Sequence, residues 1–425
     1  MAVEAAVARA QASHGVISAA AAREITRKAS IEYAPLDEIA AANARLHHRM
    51  EALLYVWRKR LSNEARAALH YGTTTVDIYD TTLSLQISSS LGLIMKRNDR
   101  ILAALADLAK AHRDTPMVGR TLGQHALAMT FGKKVAVWIG ELDRHQERLC
   151  EARARLDRSM ILKGPVGSYA GLGASAGEIE ASFALELGKP APYADDWHGA
   201  RDVYAETAAD IALLSRTVAR FGQEIFLLQS TDIGEVREAL PGGTVSSSSM
   251  PQKVNPAGSE ALMHYGRTLP RMSEVILDDV VNFYERDNTS RPNALMGDLL
   301  IETENMLTEF EKLISNLEID EDHMRANLLK SGSLLRSQGV VQALTPRIGR
   351  EEAAREVKAA AEESYASGKP FLDTLMARAK LSSMIDRDEL ARLLDPFADL
   401  EGSAAQVDAV LAASEISRRR GCERN

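Results

Sequence analysis

Residues 242–260 read Gly-Gly-Thr-Val-Ser-Ser-Ser-Ser-Met-Pro-Gln-Lys-Val-Asn-Pro-Ala-Gly-Ser-Glu, so hydroxyls, an ammonium, a carboxamide and a carboxylate fall within one short stretch. Glycines and serines make a mobile polar loop, and Pro251 and Pro256 stiffen the part that holds Lys253 and Asn255. A loop that swings in and then locks suits a catalytic lid. A periodic helix begins after Pro256, so loop amides fall near a helix N-terminus, where a developing carboxylate charge is favoured. The ordinary reading of a serine and glycine run is a linker. A linker gives no reason to set Met-Pro-Gln-Lys-Val-Asn-Pro between two helices.

Two further polar islands interrupt the helical spacing. His70-Tyr-Gly-Thr-Thr-Thr-Val-Asp-Ile-Tyr-Asp-Thr81 leads into a helix, where Thr and Asp are ordinary N-cap residues. Residues 120–134, Arg-Thr-Leu-Gly-Gln-His-Ala-Leu-Ala-Met-Thr-Phe-Gly-Lys-Lys, place Thr121, Gln124 and His125 where they could meet a carboxylate, and we expect them in a helical context. His125 reads equally as a hydrogen-bonded core histidine.

The stretch from Ser247 to Glu260 resembles the Gly-Ser-Ser-x-Met-Pro-x-Lys-x-Asn-Pro-x-x-x-Glu loop of the fumarase/aspartase superfamily, with Ser246 in place of the glycine. The first island resembles that family's His-x-Gly-x-Thr-Ser-x-Asp, with Thr75 for serine. The second resembles the carboxymuconate cycloisomerase branch. There Leu122 stands where adenylosuccinate lyases carry the histidine that protonates the leaving group, and leucine cannot donate a proton. Trp197-His-Gly-Ala-Arg-Asp202 also resembles the cycloisomerase pattern with Ala200 for glutamine, although Arg201 and Asp202 read equally as an ion pair. Glu285-Arg-Asp287 resembles both branches, and Glu389 to Pro396 looks cycloisomerase-like. Family members carry some tens of residues before the helix that begins here at Ala2.

The resemblance implies an all-α, three-domain fold, read as 1–82, a central long-helix bundle at 83–322, and a small helical domain at 323–425. It implies a cofactor-free and metal-free elimination or addition beside a carboxylate of a small di- or tricarboxylate. Ser247 would be the base, Lys253 and Asn255 would stabilise the aci-carboxylate, and Glu260 would orient a polar neighbour such as a histidine. His70, Thr74, Thr75, Thr121, Gln124, Arg201 and Arg286 would bind substrate. It also implies a homotetramer whose sites pool the three islands from different subunits. Alternatives are a fumarate-releasing C–N lyase in which His70 or His125 is the acid, and a catalytically silent structural homologue.

The elements that must position these residues are legible as apolar ladders. Ile211, Leu214, Val218, Phe221, Ile225 and Leu228 alternate three and four apart; a second ladder runs from Leu262 to Ile276 across Pro270, and a third from Met296 to Leu317. Such seams need partner helices. Gly15 reads as the turn of an opening helical hairpin, and breaks are expected at Gly332, Pro346, Gly349, Gly368, Pro370 and Pro396, with a frayed tail from Ser417. The 425 residues, 45% hydrophobic and 26% charged, describe a globular chain. With 51 Lys+Arg against 59 Asp+Glu the net charge is -8, which speaks against nucleic-acid binding. No uncharged run approaches membrane-spanning length. Cys150 and Cys422 fit no disulfide framework and no zinc pattern, so a reducing, cytoplasmic location is expected.

Overall fold

A computed structural model describes residues 1–195, 200–239, 249–250, 253–287, 294–420 and 422, with side chains left out at 417–420. Five short helices open the chain: α1 (Ala2–Ser13), α2 (Ala19–Arg27), α3 (Leu36–Leu46), α4 (Arg49–Arg58) and α5 (Asn63–Ala68). Gly15, at a φ of 73°, lies in the turn between the first two. The longest helix, α6 (Thr75–Ala111), follows and leads into a hairpin of β1 (Pro116–Thr121) and β2 (Gln124–Thr130). Then come α7 (Phe131–Leu156), α8 (Ala176–Glu186) and α9 (Asp202–Leu228), the short strand β3 (Val236–Glu238), α10 (Ala257–Asp278) and α11 (Met296–Ser315). Strand β4 (Leu317–Ile319) pairs antiparallel with β3 and precedes α12 (Glu321–Ser331). A 3-10 turn at Gly332–Arg336 leads to α13 (Ser337–Ile348), α14 (Arg350–Ser367), α15 (Phe371–Met376), α16 (Ala379–Ser382), α17 (Arg387–Leu393) and α18 (Glu401–Arg420).

The fold is all-α with two small two-stranded sheets. Its largest core lies where α6, α7, α9, α10 and α11 turn their apolar ladders inward around Trp138, Phe221 and Phe310, whose rings pack with centroids 5.2 and 5.9 Å apart in sequence. A second core joins α1 to α5 with residues Leu162 to Phe183, and a third runs from Val340 to Leu394. We propose three units on these three cores; the nominal boundary at residue 82 falls inside α6.

Helices α9 and α10 approach closely because Gly266 has no side chain: a Cβ there would stand 2.2 Å from that of Ala219. Gly266→Ala is expected to cost about 1–3 kcal/mol through overpacking. Adding Ala219→Gly should recover most of that loss in thermal denaturation.

Several sequence expectations are corrected. Residues 120–130 form a β-hairpin rather than helix. Leu317 leaves the third ladder for β4, since α11 ends at Ser315. Pro346 lies inside α13 and does not break it, and the tail continues helically to Arg420. The two cysteines, from which a reducing compartment was inferred, are joined by a Cys150–Cys422 disulfide with Cα atoms 5.4 Å apart. No described helix is long and apolar enough to cross a membrane.

Candidate active site

The glycine-serine stretch from 240 to 248, which holds Ser246 and Ser247, lies outside the described residues, as do 251 and 252. Lys253 and Asn255 are described. They line a cavity of about 870 Å³ together with Gln229, Arg237, Glu318 and Glu321. Lys253 is exposed and Asn255 half-buried. The Gln229 side chain holds the segment by donating from Nε2 to the Val254 carbonyl at 3.1 Å.

The N-terminus of α10 differs from the expected anion site. Its Gly258 and Ser259 amides donate to the Glu238 carboxylate at 2.8 and 2.9 Å, and the Ser259 hydroxyl donates to it at 2.6 Å. A carboxylate of the protein therefore already occupies the position where the helix dipole favours negative charge. Glu260 is exposed on the first turn, and no histidine of the same chain bonds to its side chain among the described residues.

The second island is the tip of the β1–β2 hairpin. Thr121 pairs with Gln124 across a two-residue turn of Leu122 and Gly123, both left-handed at φ 53° and 76°. Leu122 is fully exposed there. A left-handed leucine costs about 1–2 kcal/mol, so the surrounding structure holds an apolar side chain outward at that energetic cost. Next to it, the His125 Nδ1 lies 2.8 Å from the Ser331 hydroxyl. Burial, and then the charge of Arg120, push the His125 pKa down, so the neutral imidazole is favoured. Arg120 makes a two-point pair at 2.9 and 2.6 Å with Glu235, whose side chain is wholly buried.

In the first island, Thr74 is the N-cap of α6, closing a capping box with Asp77. The Asp77 carboxylate also accepts from the amides of Lys163 and Gly164, both at 3.1 Å, which leaves it a scaffold role. Thr75 is the first residue of the helix. His70 sits at a φ of 66° with Nδ1 2.6 Å from the Glu4 carboxylate, and Glu4 is only 1% exposed. This pairing fixes the imidazole and leaves Nε2 for a ligand, the geometry of an oriented acid or base. Arg201 bonds Asp80 at 2.5 Å and is buried, so that bond is an ion pair inside the bundle. Arg286 is exposed between α10 and α11.

The islands do not all meet within one chain. His70, Thr74 and Thr75 stand at the start of α6, whereas Thr121 and Gln124 follow its end. With 37 residues that helix is about 55 Å long. Helix α9 runs the same way, beginning beside Asp80 and ending near Glu235, which puts Lys253 and Asn255 at the hairpin end. Among the described residues no group of three or more His, Cys, Asp or Glu is placed to hold a metal ion.

Residues 1–268 match the family described as Lyase, and residues 333–410 match that described as adenylosuccinate lyase C-terminus. The chain is a lyase of the fumarase/aspartase superfamily. It is 33% identical to an N-acetyl-S-(2-succino)cysteine lyase of Enterococcus italicus over 97% of this chain and 90% of that protein. It is also 33% identical to a 3-carboxy-cis,cis-muconate cycloisomerase of Pseudomonas aeruginosa, over 96% of this chain and 90% of that one. A crystal structure of a Mesorhizobium fumarate lyase superposes with a TM-score of 0.87 at 31% identity, covering 96% of this chain and 93% of the other.

Three carboxylates of this lyase escape a reading of sequence alone: Glu4, Glu235 and Glu238. The Glu4–His70 contact spans 66 positions and the Arg120–Glu235 contact 115, so neither leaves a local pattern. The signal for Glu4 is a charged residue flanked by small apolar ones in α1, where a buried charge demands a partner.

Proposed function

We propose that this lyase breaks a bond β to a carboxylate and expels a group that departs as an anion, most nearly the ring-opening or ring-closing reaction of a carboxylated muconolactone. Ser247 takes the proton α to the carboxylate, the C–H electron pair forms the double bond, and the β C–O bond breaks to leave a carboxylate. Lys253 and Asn255 stabilise the doubly charged aci-carboxylate formed on the way. A serine acts as a base only when its oxyanion is held by cationic and amide groups. Thr121 and Gln124 bind the substrate carboxylates.

Leu122 carries this reading. It projects from the hairpin tip at the position where adenylosuccinate lyases carry their proton-donating histidine, and neighbouring His125 is held toward its neutral form. A carboxylate of pKa about 4 leaves without a proton, a thiolate of about 8.5 does so less readily, and an amine requires one. The relative named for a succinylated cysteine makes the thiol class worth including.

A second reading rests on His70. Oriented by Glu4, it is placed to protonate an amine, which would make the enzyme a fumarate-releasing C–N lyase.

The two readings separate when the lactone of 3-carboxymuconate, N-acetyl-S-(2-succino)cysteine, argininosuccinate and adenylosuccinate are assayed on one preparation by ultraviolet change. General acid help contributes about 10² to 10⁴ in rate, so turnover should fall in the order carboxylate, thiolate, amine. Leu122→His should leave the first class unimproved. Faster turnover of either amine substrate overturns the proposal in favour of His70.

The 55 Å separation further supports sites completed by other subunits. So do Leu213, Leu227, Val275 and Ile301, which are 47%, 48%, 52% and 60% exposed on α9, α10 and α11. A homotetramer fits both features.

A further inference from the structure

We propose that the segment Glu235–Glu238 is a strut that fixes the hairpin tip and the Lys253–Asn255 segment in one register, with Glu235 and Glu238 as positioning residues. The proposal rests on the reading that these two islands carry the chemistry.

An odd separation along a strand sends two side chains to opposite faces. Glu235 and Glu238 are three apart, so one carboxylate reaches each way from the same short backbone. On one side Glu235 accepts both bonds from Arg120, the residue before Thr121, and a third from Asn327 Nδ2 at 2.9 Å. On the other side Glu238 takes the α10 amides of Gly258 and Ser259, three and four residues beyond Asn255. Gly258 permits this approach, since a Cβ there would stand 3.0 Å from the Glu238 carboxylate.

The backbone between them is fixed as well. The Glu235 amide donates to the Leu228 carbonyl at 2.9 Å, and its carbonyl accepts from the Asp320 amide at 3.0 Å. The Glu238 amide donates at 2.8 Å to Gln229 Oε1, and the same side chain's Nε2 grips Val254. Strand β4 pairs Val236 to Glu238, and Glu235 stands one residue before that pairing.

Buried ion pairs are poor stabilisers, because apolar side chains of similar volume do as well. What such contacts provide is a defined geometry, and the Glu235–Arg120 pair and the Glu238 contact to the α10 amides each end within a few residues of a candidate site residue. Removing either charge leaves its partners uncompensated, and because the backbone between the two glutamates is one fixed piece, both ends loosen together.

The test is hydrogen exchange by mass spectrometry on the full-length protein, following segments 117–130 and 253–262, alongside steady-state kinetics. Glu235→Gln and Glu238→Gln should each speed exchange in both segments by about tenfold or more while leaving α6 and α7 protected. On any of the four probe substrates that the wild type turns over, kcat should fall at least about tenfold with KM little changed. Arg120→Lys and Ser259→Ala, which keep a donor or the helix amides, should do the same more weakly. They serve if the glutamine variants do not fold. Exchange that changes only in the segment each glutamate touches overturns the strut, as does a loss of thermal stability with kcat unchanged. A wild type inactive on every probe would refute the proposed function, and the exchange result would still decide the strut.

Discussion

Replacing Ser247 by alanine is expected to lower turnover by at least about a thousandfold while KM changes little, because an interaction made only in the transition state is lost. Ser246→Ala and Ser249→Ala, in the same run of hydroxyls, should be mild. The contrast matters more than the size of the main effect. A loop that acts only by closing over the substrate would respond similarly at all three serines, since each contributes polarity and freedom alike. A base at one position would not. Stopped-flow turnover on the best substrate, with binding measured separately, distinguishes the two, and equal losses at the three serines would remove Ser247 from the mechanism.

The other large effect comes from mixing. His70 and Lys253 lie at opposite ends of a helix about 55 Å long, so each chain gives them to different sites when the sites are shared. With His70 binding substrate at the shared site and Lys253 stabilising the aci-carboxylate, His70→Asn and Lys253→Met should each be nearly inactive alone. Unfolded together and refolded as mixed oligomers, they should recover roughly a quarter of wild-type activity, one half for each intact contribution. Recovery is impossible if each chain builds its own site. A mixture that stays inactive, or light scattering that reports a monomer at micromolar concentration, would end the shared-site proposal.

How much of this was legible in the sequence depends on whether the cause is local. The ladders of α9, α10 and α11 are local: three-and-four spacing states which face is buried, and Ile211, Leu214, Phe221 and Phe310 are all buried. Helix α6 is longer, yet it shows no clean ladder, because Ser84, Ser88 and Asn98 fall on its buried face and are satisfied by Tyr204, Arg153 and Gln146 from other helices. The hairpin was hidden for a related reason. Its turn uses Leu122 at a positive φ in place of the Asn-Gly or Asp-Gly that marks such turns, and its strands lack a regular apolar alternation.

For the site, the loop motif's resemblance singles out Lys253 and Asn255, which line a cavity. Spacing cannot see what a side chain will meet. Thus Arg201, read with Asp202, pairs with Asp80, and the α10 amides, read as free for an anion, belong to Glu238.

The Cys150–Cys422 bond makes a covalent ring of nearly two thirds of the chain, with a separation of 272 residues between its ends. Every residue of the third core, from Val340 to Leu394, lies inside that ring. That unit is therefore tethered to the bundle twice, through α12 at its start and through α18 and the disulfide at its end. If that unit swings on these two anchors, its return is an encounter at high effective concentration rather than a search from one anchor.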